Sequence, residues 1–345
     1  MGNSNTYILP AEWAEQSGIQ LTWPHKDTDW NYMLDEVTEC YINVAREIAK
    51  REKLFIVTPH PDDVVSIIKD KVNMDNVTLF ECNSNDTWAR DHGGITVIDK
   101  ESNNFVITDF GFNGWGQKFE AGLDNEITLN CYKGNIFKAD YRNMNDFILE
   151  GGSIEVDGNG SIMTTTRCLM SKFRNPSYSK EEIEEVLKDS FGVSNIIWID
   201  NGYLAGDDTD SHIDTLARFC PNNTIAYVKC NDVNDEHYSE LKAMEQELID
   251  ARNIEGNPYN LVALPMADSI VFDGERLPAS YANFLIMNNT VLMPTYNQPN
   301  NDKMAIEAIS KAFPEYEVVG IDCIALIKQH GSLHCITMQY PKGVL

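Results

Sequence analysis

The sequence predicts an α/β fold in which one diverged hairpin–helix–strand unit repeats and winds around an axis. Three observations carry this. Five hairpin patterns recur at intervals of roughly 50–70 residues, within the range of repeat architectures. Most are followed by a helical pattern and a further strand. No Pro/Gly/Ser-rich linker divides the chain, so residues 1–345 read as a single domain, and 43% hydrophobic residues suffice for a substantial core.

The first unit opens with a strand at Ile19-Gln20-Leu21-Thr22-Trp23-Pro24. A helix over 32–50 follows, with Val37, Tyr41, Val44, Ala45 and Ile48 on one side, and a strand at Leu54-Phe55-Ile56-Val57. In the second unit a polar entrance, Asn85 to Gly94, leads into Ile95-Thr96-Val97-Ile98, a Ser102-Asn103-Asn104 turn and Phe105-Val106-Ile107. After Asp109 only an irregular stretch stands where the helix is expected.

The third hairpin joins Ile154-Glu155-Val156 to Ile162-Met163-Thr164 through Asp157-Gly158-Asn159-Gly160, a strong turn signal. Its helix begins at Ser179 with Glu182 three residues on, a capping box, and stops at Gly192 before the strand Ile196–Ile199. The fourth unit runs from Ser211 to Phe219, turns at Pro221-Asn222-Asn223, and continues through a strand at 224–228, a helix bearing Leu241, Met244 and Leu248, and a strand at 261–264. The fifth starts at Ser280-Tyr281-Ala282-Asn283, turns at Asn288-Asn289, and ends in a helix around Ala305, Ile309 and Phe313 and a strand at 318–321. The last segment, from His334-Cys335, is expected to close on the N-terminal strand.

In that winding the residues opening each hairpin converge on the centre: Asp91, Glu150, His212 with Asp214, and Cys335. His212 and Asp214 are two apart and face one side if they lie on a strand. Cys335 follows the Gly331 turn and sits at a strand mouth. Taken alone it reads as a small buried hydrophobe, as His212 reads as a core histidine and Asp207 to Asp210 as a solvated loop.

Composition narrows the chemistry. With 53 acidic against 27 basic residues and a formal charge of −26, the chain lacks the basic footprint of a nucleic-acid binder and favours cationic ligands. Eight cysteines without a Cys-x-x-Cys pair give no support to a zinc knuckle or dithiol site, and suit a reducing cytoplasmic setting. No apolar run reaches the ~18–20 residues of a membrane span, and no leader is visible. Met1 to Thr6 fits the formal myristoylation pattern, without the basic patch that would second it.

A cysteine, a histidine and several carboxylates fit nucleophilic catalysis with a histidine acid/base. Three carboxylates raise a thiol's pKa, so the set makes sense when the substrate is itself a cation. A guanidinium suits two-pronged carboxylate recognition. Carboxylates ~4 Å away attract it by several kcal/mol at a surface-like dielectric, and its charge eases formation of the thiolate.

Trp88-Ala89-Arg90-Asp91, Leu149-Glu150-Gly151-Gly152, Asp207 to Asp214, Leu277 to Phe284 and Gly331 to Thr337 together resemble, in order over nearly the whole chain, the agmatine deiminase and bacterial peptidylarginine deiminase-like family of the guanidine-modifying superfamily. The resemblance implies a five-bladed α/β propeller (pentein) and hydrolysis of agmatine to N-carbamoylputrescine and ammonia, with no metal or organic cofactor. It implies Cys335 as nucleophile, His212 as acid and base, Asp91 and Asp214 as guanidinium clamps, and Glu150 as support for His212 and substrate. Trp88 would pack along the methylene chain and Asp208 would reach the far end. His334 is left structural, on the opposite face. The expected partner is a small cationic guanidine, with no nucleic acid or membrane; the oligomeric state stays open, a homo-oligomer being allowed.

Other readings stand beside this one. They are deimination of free or peptidyl arginine, amidine transfer, a polyamine- or guanidine-binding protein without turnover, and a zinc-dependent deacetylase suggested by His60-Pro61-Asp62-Asp63. The matched motifs hold no arginine cluster, and Arg90 alternates away from Asp91, which favours agmatine over a substrate carrying a carboxylate.

Overall fold

In the computed structural model, residues 6–345 are described; the Gly2 pattern lies outside them. The chain forms five principal sheets that share one pattern of connection: two antiparallel strands, then a crossover to a third strand parallel to the second. Parallel neighbours require such a crossover, usually helical.

The first sheet pairs the C-terminal strand Thr337–Pro341 with Gln16–Thr22, which crosses through the Leu34–Ala49 helix to Lys53–Thr58. The last strand thus closes on the first, as the repeat predicts. The second joins Ile95–Asp99, Phe105–Gly111 and Asp140–Ile148, the third Ile154–Val156, Ser161–Thr165 and Asn195–Ile199. Ala217–Cys220, Thr224–Lys229 and Asn260–Pro265 make the fourth, and Leu285–Met287, Thr290–Thr295 and Glu317–Asp322 the fifth.

The second unit corrects the sequence reading. Where an irregular stretch was expected, Ile127–Lys133 is helical and buries Ile127, Thr128 and Cys131. Its single buried face spans two turns, too short to show a periodicity of 3.6. An additional strand, Val77–Glu81, extends the first sheet beside Lys53–Thr58.

The predicted capping box is present: Ser179 Oγ accepts from the Glu182 N–H at 3.2 Å and Glu182 Oε2 accepts from the Ser179 N–H at 2.7 Å. The helix stops at Gly192 in the left-handed region, φ 67°. Central strands such as Ser161–Thr165 are buried along their whole length, and the helices turn apolar stripes, for example Val37, Tyr41, Val44 and Ile48, onto the sheets. Two apolar clusters fill the interior, one mainly from the first, fourth and fifth units and one from the second and third.

The hairpin entrances are tied to one another. The Arg90 N–H donates to the Cys335 carbonyl at 3.1 Å, the Gly152 N–H to Asp91 Oδ1 at 3.0 Å, Thr165 Oγ1 to the Ser211 carbonyl at 2.8 Å, Asn283 Nδ2 to the Asp214 carbonyl at 3.4 Å, and the His334 N–H to Asn283 Oδ1 at 2.9 Å. These bonds pass through all five units and return to the first. No helix among the described residues is long and apolar enough to cross a membrane.

Candidate active site

Asp91 sits in the short helical turn Ala89–His92, buried. Its two oxygens are held separately: Oδ1 accepts from the Gly152 N–H, and Oδ2 accepts from Trp115 Nε1 at 2.9 Å. Burial, aided by neighbouring Asp214 and Glu150 and opposed by His212, raises its pKa from 3.8 to about 6.

His212 and Asp214 do not lie on a strand, contrary to the alternation argument. Ile213–Thr215 is a 3₁₀ turn capped by His212, and the hairpin strand starts only at Ala217. The acidic loop ahead of it builds this geometry. Asp207 accepts from the Thr209 and Ser211 N–H groups at 3.0 and 2.6 Å, and Thr209 Oγ1 accepts from the His212 N–H at 3.1 Å. Asp210 and Ser211, both at φ 65°, aim the chain inward.

His212 is fully buried, and neither ring nitrogen has a hydrogen-bond partner among the described residues. Nδ1 is 3.7 Å from Asp91 Oδ1. Burial lowers its pKa, but Asp91, Cys168 and Glu150 outweigh burial and lift it from 6.5 to about 10. Asp214 is also fully buried: Oδ2 is bound to His334 Nδ1 at 2.7 Å while Oδ1 has no partner among the described residues. Burial raises the pKa of Asp214, yet the His334 contact prevails and the net shift is downward.

These groups converge on one point. A Cβ added to Gly152 would stand 2.7 Å from His212 Nδ1, 2.9 Å from Asp91 Oδ1 and 3.1 Å from Asp214 Oδ2. Only a residue without a side chain leaves that space open. Gly331 has a similar part at the other wall, where a Cβ would lie 2.1 Å from the Trp88 ring.

Cys335 lies in a turn two residues before its strand rather than at the strand mouth. Its Sγ is 3.4 Å from Asn283 Oδ1. Burial, then Asp214 and Asp91, push the thiol well above its ordinary pKa of 9.0, so the empty site holds a neutral thiol.

Glu150 is fully buried and paired through both oxygens with Arg174 Nε, at 2.8 and 3.0 Å. Arg174 also donates to Asp210 Oδ2 at 2.7 Å and to the Thr209 carbonyl at 2.8 Å. Glu150, Cys168 and His212 have polar atoms within 4.8 Å of one another.

A cavity leads from Cys335 and Asp91 past Trp88, Trp115 and Phe119 to Asp29, Asp86 and Asp208. Trp88 is buried and donates to Asp86 Oδ2 at 3.0 Å; Asp208 stands at the outer end, its side chain 42% exposed and 3.7 Å from His330. Burial raises the pKa of Asp208, and that of Asp86 to about 7. Four carboxylates and no lysine or arginine line this cavity.

The structure thus gathers Cys335, His212, Asp91, Asp214 and Glu150, with Trp88 and Asp208 along the approach. Sequence reasoning missed several partners. Asn283 occupies the one hairpin entrance to which no chemistry was given, so the repeat register pointed to it. Trp115 lies in an irregular loop at φ 55°, between Gly114 and Gly116, where no pattern operates. Arg174 falls between motifs. His334, left structural, holds Asp214. His60, Asp62 and Asp63 are exposed around the start of the Pro61–Ile68 helix, away from this site.

The Porphyromonas-type peptidyl-arginine deiminase family matches residues 8–341 of the chain. A protein of Shewanella baltica (strain OS185), provisionally named agmatine deiminase, is 32% identical over 359 aligned residues, covering 98% of this chain and 95% of that protein. Among solved structures, a Porphyromonas gingivalis protein provisionally named arginine deiminase shares 48% identity and superposes with a TM-score of 0.93 over 98% of this chain and 99% of that one. A cysteine-to-serine variant of the C. jejuni agmatine deiminase with substrate bound shares 36% identity and gives a TM-score of 0.91, covering 98% and 97% of the two chains.

Proposed function

The chain belongs to the Porphyromonas-type peptidyl-arginine deiminase family, and from that premise we propose that it is an agmatine deiminase, hydrolysing agmatine to N-carbamoylputrescine and ammonia. The proposal includes the architecture: one catalytic domain spanning the chain, its five sheets arranged as a five-bladed propeller. The observation that carries it is the cavity, in which four carboxylates and no basic lysine or arginine lead to a buried cysteine.

The guanidinium lies between Asp91 and the free oxygen of Asp214. Its positive charge replaces the one that the carboxylates lack and draws Cys335 toward its thiolate. Sulfur attacks the central carbon, one C–N bond breaks, and the thiol's proton departs with the ammonia. His212, protonated at neutral pH, supplies a second proton at the leaving nitrogen, which departs as ammonium and leaves His212 neutral. Water, deprotonated by His212, then forms the C–O bond as the C–S bond breaks. This releases the urea, returns the water's second proton to the thiol and leaves His212 protonated as at the start. Arg174 pins Glu150 beside His212. Trp88 packs along the methylenes, and the substrate's ammonium faces Asp208 and Asp86.

Arginine deimination has in its favour the provisional name of the P. gingivalis relative and the family's own description as peptidyl-arginine deiminase. The carboxylate of arginine would meet carboxylates with no lysine or arginine among the lining residues. The test is a ureido-product assay run in parallel on agmatine, arginine, methylated arginine and an arginyl peptide. Agmatine should exceed arginine in kcat/KM by roughly tenfold or more; a preference for arginine would sink the substrate assignment and leave the chemistry standing.

The pH profile follows from Asp91. With its pKa near 6, Asp91 is ionised at pH 7 and neutral in more acidic solution, where half of the clamp's charge is lost. kcat/KM for agmatine should therefore fall as pH drops through about 6. A profile flat from about pH 7 to pH 5 would remove Asp91 from the clamp.

A further inference from the structure

Glu12 belongs to none of the hairpin entrances, yet it ends beside the site. It comes from the Pro10-Ala11-Glu12-Trp13 segment between the short strand Tyr7–Ile8 and the strand Gln16–Thr22 and is 8% exposed. Oε1 accepts from the Ile286 N–H at 2.8 Å. Oε2 accepts from Arg218 Nη2 at 2.6 Å and lies 2.9 Å from His334 Nε2. The other nitrogen of His334, Nδ1, is 2.7 Å from Asp214 Oδ2. One imidazole is therefore held at its two ends by the carboxylates of Asp214 and Glu12.

The surroundings leave His334 little freedom. Arg218 is fully buried, with its Nε on Glu155, Nη2 on Glu12 and Nη1 donating to the Ala282 carbonyl at 3.2 Å. The His334 N–H is bound to Asn283 Oδ1. Arg90, Glu12, Glu155 and His334 line a cavity of their own, whereas Asp91 and Cys335, their chain neighbours, line the substrate cavity. Two adjacent pairs, 90–91 and 334–335, form the partition, and Glu12 stands on the side away from substrate.

A carboxylate free to rotate presents its oxygens in many directions; one fixed through a single oxygen presents the other in one. We infer that Glu12 and His334 are positioning residues: Glu12 orients His334, and His334 fixes Asp214 so that its unpartnered oxygen faces the guanidinium. This rests on the reading of Asp214 as a clamp. It assigns a purpose to the N-terminal segment, and to the histidine beside the nucleophile, that neither repeat register nor strand alternation suggests. Loss of one charge-assisted hydrogen bond in such a chain weakens the final contact about ten- to hundredfold.

The experiment compares full-length Glu12→Gln, Glu12→Asp, His334→Gln and Asp214→Asn. It reads kcat and KM for agmatine, and agmatine Kd by calorimetry with each change placed on Cys335→Ala. Glu12→Gln keeps the acceptor for Ile286 and removes the charge; Glu12→Asp keeps the charge and shortens the reach. Each should raise KM and Kd about tenfold or more, with a much smaller change in kcat, and His334→Gln should do the same. A purely structural role would lower the melting temperature while leaving KM and Kd of the folded protein unchanged, and that result overturns the inference. The Asp214→Asn arm separates the two levels. If it binds agmatine poorly while the Glu12 variants bind normally, only the positioning claim fails. If it binds normally, the clamp reading fails and the inference with it.

Discussion

Replacing Cys335 by alanine should reduce turnover of agmatine by roughly 10⁴-fold or more while leaving agmatine binding nearly intact. On the proposed reading Asp91 and Asp214 hold the guanidinium through charge and hydrogen bonds, and neither needs the sulfur. The reaction needs it as the atom that bonds to carbon, and no second thiol can substitute. All eight cysteines are unpaired and buried, and Cys168, the one beside His212 and Glu150, does not line the substrate cavity. Initial rates with product analysis, together with calorimetry on the variant, check both halves. A variant that turns over at the native rate would end the nucleophile assignment. Loss of binding together with turnover would make the thiol part of the clamp.

Changing His212 to glutamine should lower kcat by about 10²–10⁴-fold, with a smaller effect on KM. Glutamine fills a similar volume and keeps a polar end, so the effect isolates proton transfer from packing. His212 is suited to the work because neither of its nitrogens is occupied, while Asp91 and Glu150 keep it protonated despite full burial. A positioned acid is needed for ammonia to leave, and the same group, once deprotonated, is needed to activate water. Both half-reactions therefore slow. Single-turnover kinetics that show native rates in the variant would assign acid–base work elsewhere.

What the sequence could reveal depended on whether a residue obeyed the repeat. Asp91, Glu150, His212, Asp214 and Cys335 were legible because each opens a hairpin, and equivalent positions in a wound repeat converge. Strand alternation is a weaker guide here than this register. His212 and Asp214 point inward from a 3₁₀ turn built by Asp207 and Thr209, not from a strand. Such a turn is set by side chain–backbone bonds that a two-residue period does not encode. Arg174, Trp115 and Glu12 come from outside the hairpin entrances and reach the site through tertiary packing alone. The Ile127–Lys133 helix escaped notice for a related reason: seven residues that include isoleucine, threonine and tyrosine resemble a strand in composition, and only burial on one side holds them helical.

In the proposed reaction the guanidinium carbon is transferred to Cys335 before water arrives. Acid-quenching the enzyme within its first turnovers on agmatine, digesting it and weighing the peptides tests this directly. The peptide containing Cys335 should carry the mass of the substrate less ammonia, and the His212→Gln variant should form the same adduct at a slower rate. Rapid turnover with an unmodified Cys335 peptide at every quench time, or an adduct on a different cysteine, would contradict it.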